Sequence, residues 1–428
     1  MFAGFDYGTS NCSIGVWQNG AVRLLPVEGR NSLIASTLYA PKPDLELNHR
    51  DDVLDMSTQS FDALKFGNDA LQAYLRDPTQ GYFVKSPKSF LGAKGLNERI
   101  KDRFISVVAA MMGNVKRNAE SHLDQAIDQV IIGRPVNFQG TGGAAENQQA
   151  LQMLVAAAHE AGFADVAFLF EPMAAAMEYE ASLESEEKIL VVDIGGGTTD
   201  CSFVLIGPSR REVKNRDADI LGHAGERQGG NDYDQALALH SVMPTFGFGD
   251  HLKSGLPIPN TYFVDAVSTN DVNAQQRYFS RTTGERLDVF VREGVHPRRI
   301  ARLARLREVR STYRLLNEVE RAKVNLSEHE TAAVGLGFLN EAVEVVCDRK
   351  GFGRSTTRLL DRLSDLISET LKQGQTRPDV VYLTGGMAGA PVVRQHLEKV
   401  FGRLPLTDSD HFGSVTTGLT IWARNQFT

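Results

Sequence analysis

The stretch Lys188-Ile-Leu-Val-Val-Asp-Ile-Gly-Gly-Gly-Thr-Thr-Asp-Cys-Ser202 limits what this chain can become more than any other. Residues 189–192 are apolar and mostly β-branched, the pattern of a short buried strand. The strand ends on a carboxylate, Asp193. Gly195, Gly196 and Gly197 follow, then the hydroxyls of Thr198 and Thr199 and a second carboxylate, Asp200, before residues 203–206 resume a strand. The expectation is a hairpin with a nearly all-glycine turn. With no Cβ in the way, backbone N–H groups of such a turn can converge on an oxyanion. Thr198 and Thr199 can donate to phosphate oxygens. Asp193 and Asp200 cannot face phosphate bare, so a Mg²⁺ between them and the phosphates is implied. The alternative is an ordinary tight hairpin, which needs neither three glycines nor two acids.

The device occurs again at the start of the chain. Phe2-Ala-Gly-Phe-Asp-Tyr-Gly-Thr-Ser-Asn-Cys-Ser13 runs through a strand to Asp6, Gly8, Thr9 and Ser10 and closes on Cys12-Ser13, as the later copy closes on Cys201-Ser202. Aligned on those ends, the later loop is two residues longer. Two copies roughly half a chain apart read as an internal repeat. They imply two similar lobes, each offering an acid-tipped phosphate loop to one shared cleft. The 428 residues are enough for two or more domains, and 42% hydrophobic content supplies their cores. A net charge of −7 argues against nucleic acid or an anionic membrane as a main partner. The three cysteines, Cys12, Cys201 and Cys347, have no metal spacing and no C-x-x-C. With no signal peptide and no run of transmembrane length, a reducing, cytoplasmic setting is expected.

In order, residues 1–40 read as a β-meander with a turn near Asn19-Gly20. Residues 41–80, broken by Pro41, Pro43 and Pro78, fit a small variable subdomain. Tyr82-Phe-Val-Lys-Ser-Pro-Lys-Ser-Phe-Leu-Gly92 carries Lys85 and Lys88, either of which can be a solvated lysine or one aimed into an acid-rich cleft. A helix is expected over 98–118, a strand over 129–132, a flexible link at Gly140 to Gly143, and a helix over 145–161 stopped by Gly162. Glu171-Pro172 opens a helix at a strand end, where active-site groups collect, although an acidic helix start explains Glu171 equally well. Gly229-Gly230-Asn231 looks like a helix entry. Residues 241–297, rich in Pro, Gly, Asn and Asp, suggest a second small subdomain, irregular at first. One long helix is expected over 298–326, its seven arginines from Arg298 to Arg314 forming a solvated face or a partner surface. Glu320, Lys323 and Ser327 share a face of that helix; they can grip a nucleoside or form a surface ion pair. Strands fit 330–348 and a helix 355–373. A strand over 378–383 runs into Thr384-Gly-Gly-Met-Ala-Gly-Ala-Pro391, where a flat ring or a phosphate can lie against backbone.

With these pieces in view, the chain resembles the ATPase part of the DnaK-type heat-shock chaperones, in the actin and sugar-kinase superfamily, and looks closest to the short DnaK-like proteins. Gly4 to Ser13 is similar to the family's first phosphate loop and Val192 to Asp200 to its second. Leu383 to Pro391 is similar to its adenosine motif, Glu320-Arg-Ala-Lys-Val-Asn-Leu-Ser327 to its nucleoside helix, and Glu171-Pro-Met-Ala-Ala-Ala176 to the crossover beside the metal. The resemblance implies an α/β, actin-like ATPase fold. Each of two lobes would hold a duplicated mixed sheet flanked by helices and a smaller subdomain. Lobe I is expected over 1–187, with its core at 1–40 and 126–187 and its small subdomain at about 41–125. Lobe II is expected over 188–428, with its core at 188–240 and about 328–428 and its small subdomain at about 241–327. The ligands implied are ATP or ADP with Mg²⁺. Asp6 and Asp193 would hold the metal through its waters. Gly8, Thr9, Ser10 and Asn11 with Gly195, Gly196, Gly197 and Thr198 would surround the phosphates. Lys88, whose Lys-Ser-Phe-Leu-Gly follows the family pattern, would neutralise charge, and Glu171 and Asp200 would position water or the metal shell. Gly229 and Gly230 would touch phosphate. Glu320, Lys323 and Ser327 would contact the nucleoside, with Gly385, Gly386 and Met387 beneath it.

Val324 stands where the family usually has an arginine stacking on adenine, and Met387-Ala-Gly389 where it has Ser-Thr-Arg, so adenine would be held less polarly. No peptide-binding domain is expected after residue 428, and a clamp on unfolded peptide would have to come from elsewhere. The implied function is a slow Mg²⁺-ATPase of chaperone-like type, acting through lobe closure on a protein partner or co-chaperone, because no residue stands out as a base tuned near neutrality. A small-molecule kinase with Asp200 as base, and a nucleotide-gated scaffold or actin-like filament protein, remain as alternatives.

Overall fold

The run Ile189 to Val192 becomes fully buried central strand, and the molecule is built outward from it and from its counterpart at the N-terminus. The computed structural model describes residues 1–42, 54, 56, 59–93, 95–136, 138, 144–213, 215–408 and 413–428. The expected link at Gly140 to Gly143, and part of the 41–80 stretch, lie outside the described residues.

One sheet has the order β3 (Ala21–Leu24), β2 (Asn11–Gln18), β1 (Phe2–Tyr7), β8 (Gln129–Arg134), β9 (Asp165–Phe170), with β4 (Ile34–Ala35) on β2. The other has the order β12 (Ile220–Glu226), β11 (Thr199–Ile206), β10 (Glu187–Ile194), β15 (Val380–Thr384), β16 (Leu406–Asp408). In both, the central strand pairs antiparallel with the next strand in sequence, which pairs antiparallel with the third, while two later strands add on in parallel. The repeat is thus a repeat of topology, with β1 and β10 in equivalent places. Smaller sheets join β5 (Thr37–Pro41) with β6 (Lys65–Phe66) and β7 (Gly81–Lys85), and β13 (Thr331–Gly335) with β14 (Glu344–Asp348).

The helices of the first half are α1 (Gly67–Arg76), α2 (Glu98–Leu123), α3 (Ala144–Glu160) and α4 (Glu171–Glu180). Those of the second are α5 (Gly230–Leu237), α6 (Thr261–Val267), α7 (Val272–Phe279), α8 (Arg281–Glu293), α9 (Pro297–Glu308), α10 (Thr312–Glu328), α11 (Arg349–Ser355), α12 (Thr357–Gly374), α13 (Pro391–Phe401) and α14 (Ser414–Phe427). Helices α4 and α14 share one apolar cluster that draws on both large sheets, with Ile131 from one and Val191, Val204 and Tyr382 from the other. Helix α14 approaches α4 and β1 through small residues: a Cβ on Gly418 would lie 1.8 Å from the Ala174 carbonyl oxygen, and one on Gly4 of β1 would lie 2.2 Å from the Thr420 nitrogen.

One expectation fails for an identifiable reason. The single helix over 298–326 is two, because Arg310 turns left-handed at φ 49° and the Ser311 N–H bonds back to the Leu306 carbonyl at 3.2 Å, a Schellman-like end. The apolar stripe stays in phase across the break, which hides it from periodicity. The arginines there are mostly fasteners: Arg307 caps the end of α7 by donating to the Tyr278, Phe279 and Ser280 carbonyls, and Arg302 bonds Glu341. The 241–297 stretch, expected to begin irregularly, holds only short helical turns up to residue 260 and then carries α6, α7 and α8. Two of its polar residues are caps, Asp271 accepting from the Asn273 and Ala274 N–H groups and Ser280 from that of Thr283.

Candidate functional site

Both glycine turns are tight hairpins. Tyr7 pairs with Cys12 and Ile194 with Thr199, so each turn has four residues, 8–11 and 195–198. The two-residue difference expected from the Cys-Ser echo is absent. Asp6 pairs with Ser13 and Asp193 with Asp200, which makes Ser13 the counterpart of Asp200. Cys12 and Cys201 are not equivalent; both are buried and unpaired.

The turns meet. A Cβ on Gly196 would lie 1.8 Å from Ser10 Oγ and one on Gly197 2.7 Å from Thr9 Cγ2, so only glycine allows this approach. A third segment braces the second turn: Gly230 N–H donates to the Gly195 carbonyl and Asn231 N–H to that of Gly196, both at 2.8 Å, and a Cβ on Gly229 would lie 2.6 Å from Gly197 N. Behind Asp193, Gly385 has φ 84°, and a Cβ there would reach to 2.6 Å from Asp193 Oδ1. Each close approach is a place where the sequence has glycine.

An open cavity of about 230 Å³ lies against both turns. The structure brings to its wall Asp6, Gly8, Thr9, Ser10 and Asn11 from the first turn, and Asp193, Gly195, Gly196 and Thr198 from the second. Glu171, Gly230, Glu320, Lys323, Val324, Gly385, Gly386 and Met387 also line it. Five expected site residues stand off that wall. Lys88 and Gly197 line a narrow adjoining slot. Asp200 sits beside Asp193, Oδ1 accepting from Val136 N–H at 2.8 Å. Gly229 is packed behind the second turn instead of facing the cavity. Ser327 lies one helical turn past the cavity edge, its carbonyl accepting from Arg349. Its shared face with Glu320 is real, but 5.4 Å of pitch carries it beyond the pocket.

The charges are crowded. Burial, then the Glu171 carboxylate, pushes Asp6 up to about 7 against the pull of Lys88. Burial and Glu171 also push Asp200 to about 7, and burial with three neighbouring carboxylates holds Asp193 well above its ordinary range. Lys88 donates to Glu171 Oε1 at 2.5 Å; burial works against its charge, but Glu171 and Asp6 outweigh it and raise its pKa. Four carboxylates around one buried lysine lack positive charge. Asp200 Oδ2 is buried without a hydrogen-bond partner. Among the described residues, no three His, Cys, Asp or Glu side chains converge as direct metal ligands. Crowded carboxylate oxygens short of positive charge are a donor set of the kind a hard divalent cation takes.

At the other end, Glu320 pairs with Lys85 at 2.8 Å and Lys323 with Asp234 at 2.9 Å. Burial alone would raise Glu320, but Lys85 and Lys323 pull it below its ordinary value. Asp234, pushed to about 6 by burial, was missed in the sequence; its position on α5, four residues after Gly230, is the only hint. Lys85, set aside in favour of Lys88, is the partner of Glu320. Asn231, Thr384 and Ser414 line the cavity without having been expected. Val324 is 59% exposed at its edge.

A family model described as "Hsp70 protein" matches residues 94–247 and 295–424, well over half the chain. Among relatives, heat shock 70 kDa protein 13 of Homo sapiens is 24% identical over 453 residues, covering 98% of this chain and 87% of that protein. The Mus musculus and Bos taurus proteins of the same name are each 25% identical with the same coverage. The duplicated sheets and paired turns are those of the actin-like ATPase fold that the family implies, and the chain belongs to the Hsp70 family.

Proposed function

We propose that this chain is a slow, chaperone-like Mg²⁺-ATPase whose two lobes, 1–187 and 188–428, close on nucleotide and pass that closure to a protein partner. The observation that supports it most is the pair of acid-tipped glycine turns facing one cavity, with Asp6 and Asp193 both on its wall. Asp6 and Asp193 would hold Mg²⁺ through its waters. The ion would neutralise phosphate charge when bound. The N–H groups and hydroxyls of both turns bind and orient the phosphates. Lys88, held by Glu171, supplies a fixed positive charge beside them. Glu320 and Lys323, each pinned by a partner, face the nucleoside, and Val324 and Met387 offer it apolar surface.

What supports slow turnover is where the acids lie. Asp200, the carboxylate with an unpartnered oxygen, is off the cavity wall, so it can order water only at a remove. Lobe closure is favoured because a bound nucleotide would contact residues from both halves, and α4 and α14 lie between the sheets that must move. Three buried, unpaired cysteines suit a reducing cytoplasm. Among the described residues no helix is long and apolar enough to cross a membrane. The test is calorimetry with Mg²⁺-ATP and Mg²⁺-ADP beside phosphate release. Asp193→Asn is expected to weaken Mg²⁺-nucleotide binding by about a hundredfold. Unchanged affinity and turnover would remove the metal-site reading.

A further inference from the structure

The main cavity changes character along its length. Its turn end carries Asp6, Thr9, Ser10, Asp193 and Thr198. The other end is formed by Glu320, Lys323 and Val324 of α10 and by Gly385, Gly386 and Met387, which follow β15. These walls lie close together: a Cβ on Gly230 would be 3.5 Å from Lys323 Nζ and 3.6 Å from Met387 Cγ. The polar groups of this end are largely spent. Lys85 holds Glu320 Oε2 at 2.8 Å, and Asp234 and the Gly230 carbonyl hold Lys323 Nζ at 2.9 and 3.2 Å. The Thr384 and Ser414 hydroxyls bond each other at 3.0 Å. After β15, Met387 N–H donates to the Ile194 carbonyl, Ala388 N–H to that of Gly385 and Ala390 N–H to that of Met387. What is left there is apolar, with Met387 as a buried floor and Val324 as an exposed rim.

We propose that this site takes adenine and guanine nucleotides alike, holding the base by its flat face on Met387 and Val324 and leaving its edge unread. The proposal rests on the nucleotide reading above. The two purines present similar ring faces and different edges. At C6 adenine carries an amino donor and guanine a carbonyl acceptor, and guanine adds an amino group at C2. To choose between them a site has to set a hydrogen-bonding group against one of those edges. Such a group is left unpaired by the wrong base and rejects it by about 10⁴-fold, whereas contact with an apolar surface discriminates weakly. Among the described residues, the side chains of α10 and of the 385–390 loop on the cavity wall set no uncommitted donor or acceptor there except Glu320 Oε1, which sugar hydroxyls can meet. Ser327, the next hydroxyl along the face of α10, is off the wall. The thioether of Met387 is polarizable and adapts to either ring. Affinity then comes from phosphates, sugar and ring face, which both purine nucleotides share.

The experiment is calorimetry of the wild-type protein with Mg²⁺-ADP, Mg²⁺-GDP and Mg²⁺-UDP, repeated with Met387→Ala and Val324→Ala. The ADP and GDP dissociation constants should agree within about fivefold. UDP should bind about tenfold more weakly, because a single ring covers less of the apolar floor. Met387→Ala should weaken ADP and GDP by the same factor, about fivefold, and Val324→Ala, an exposed change that leaves the fold alone, should weaken both by about twofold. A larger preference for either purine in the wild type overturns the inference, as does a Met387→Ala variant that weakens one purine nucleotide and spares the other. UDP that binds as tightly as ADP and GDP also overturns it, because the base then rests on nothing. Wild type that binds none of the three brings down the nucleotide reading itself.

Discussion

The two glycine turns have the same length and the same register, and they sit on equivalent strands of equivalent sheets. They differ in what stands opposite the leading acid. Opposite Asp6 is Ser13, buried and hydrogen-bonded to the Thr416 hydroxyl on α14. Opposite Asp193 is Asp200, buried with one oxygen on Val136 and one without a partner. The first turn is thus tied into the scaffold, and the second holds spare negative charge. The second is also the braced one, with Gly229 and Gly230 behind it. The two frames are equal, and the spare carboxylate lies on one of them.

The largest effect should come from making the turns alike. Ser13→Asp would put a second carboxylate into a fully buried place whose neighbour is a threonine hydroxyl, and should cost about 3 kcal/mol of stability by chemical denaturation. A variant as stable as wild type would mean that the turns are interchangeable and the asymmetry carries no constraint. Asp200→Asn tests the other side. It keeps shape and removes charge, and should lower turnover by about tenfold with Mg²⁺-ADP affinity within twofold. If affinity falls as far as turnover, Asp200 belongs with Asp193 in binding, and the contrast drawn between them fails.

The likeness of the turns was legible because it is local: a buried apolar strand, an acid, then glycine and hydroxyls. Their register was not. The Cys12-Ser13 and Cys201-Ser202 echo suggests unequal loops, and only strand pairing shows that Ser13 answers to Asp200. The site residues that were missed, or whose part in the site changed, have partners far along the chain. Lys85 meets Glu320 across 235 positions and Lys323 meets Asp234 across the fold, and no spacing rule reaches that distance. Ser327 shows the reverse. Its helical phase was right, but phase says nothing about where a pocket ends. Over 241–297, Asp and Ser residues that look like loop formers also cap helices, which composition alone does not distinguish.

Acidity gives a smaller, graded test of the same asymmetry. Without metal and nucleotide, Asp6 and Asp200 hold protons up to about 7 in the folded protein, whereas an unfolded aspartate loses its proton near 4. Across that window the folded state binds more protons than the unfolded, so stability falls as pH rises from about 4 to about 7, and the strongly raised Asp193 carboxyl carries the fall further. Melting temperature of nucleotide-free protein should therefore drop by a few degrees between about pH 5 and pH 7.5. Mg²⁺ with nucleotide should flatten the slope, because a bound cation favours the carboxylates' charged forms. Asp200→Asn should flatten it too. A melting temperature that is level or rising over this range in the nucleotide-free protein contradicts the charge deficit on which the metal reading stands.

The smallest effect concerns the end proposed for the nucleoside, where the two-turn contrast gives way to a contrast along one helix. Lys323 Nζ lies on the cavity wall and bonds the Gly230 carbonyl at 3.2 Å, next to the segment that braces the second turn. Ser327, one turn further, is off the wall, and its carbonyl is engaged by Arg349. Ser327→Ala removes a partly buried hydroxyl that the cavity does not meet, so Mg²⁺-ADP affinity should change by less than about twofold. Lys323→Ala would free Asp234 and remove a donor from the wall, and should weaken the same affinity by about tenfold. Calorimetry on the two variants side by side decides whether the nucleoside extends along the helix. If Ser327→Ala costs as much as Lys323→Ala, the bound base reaches beyond the cavity, and α10 must shift when nucleotide binds.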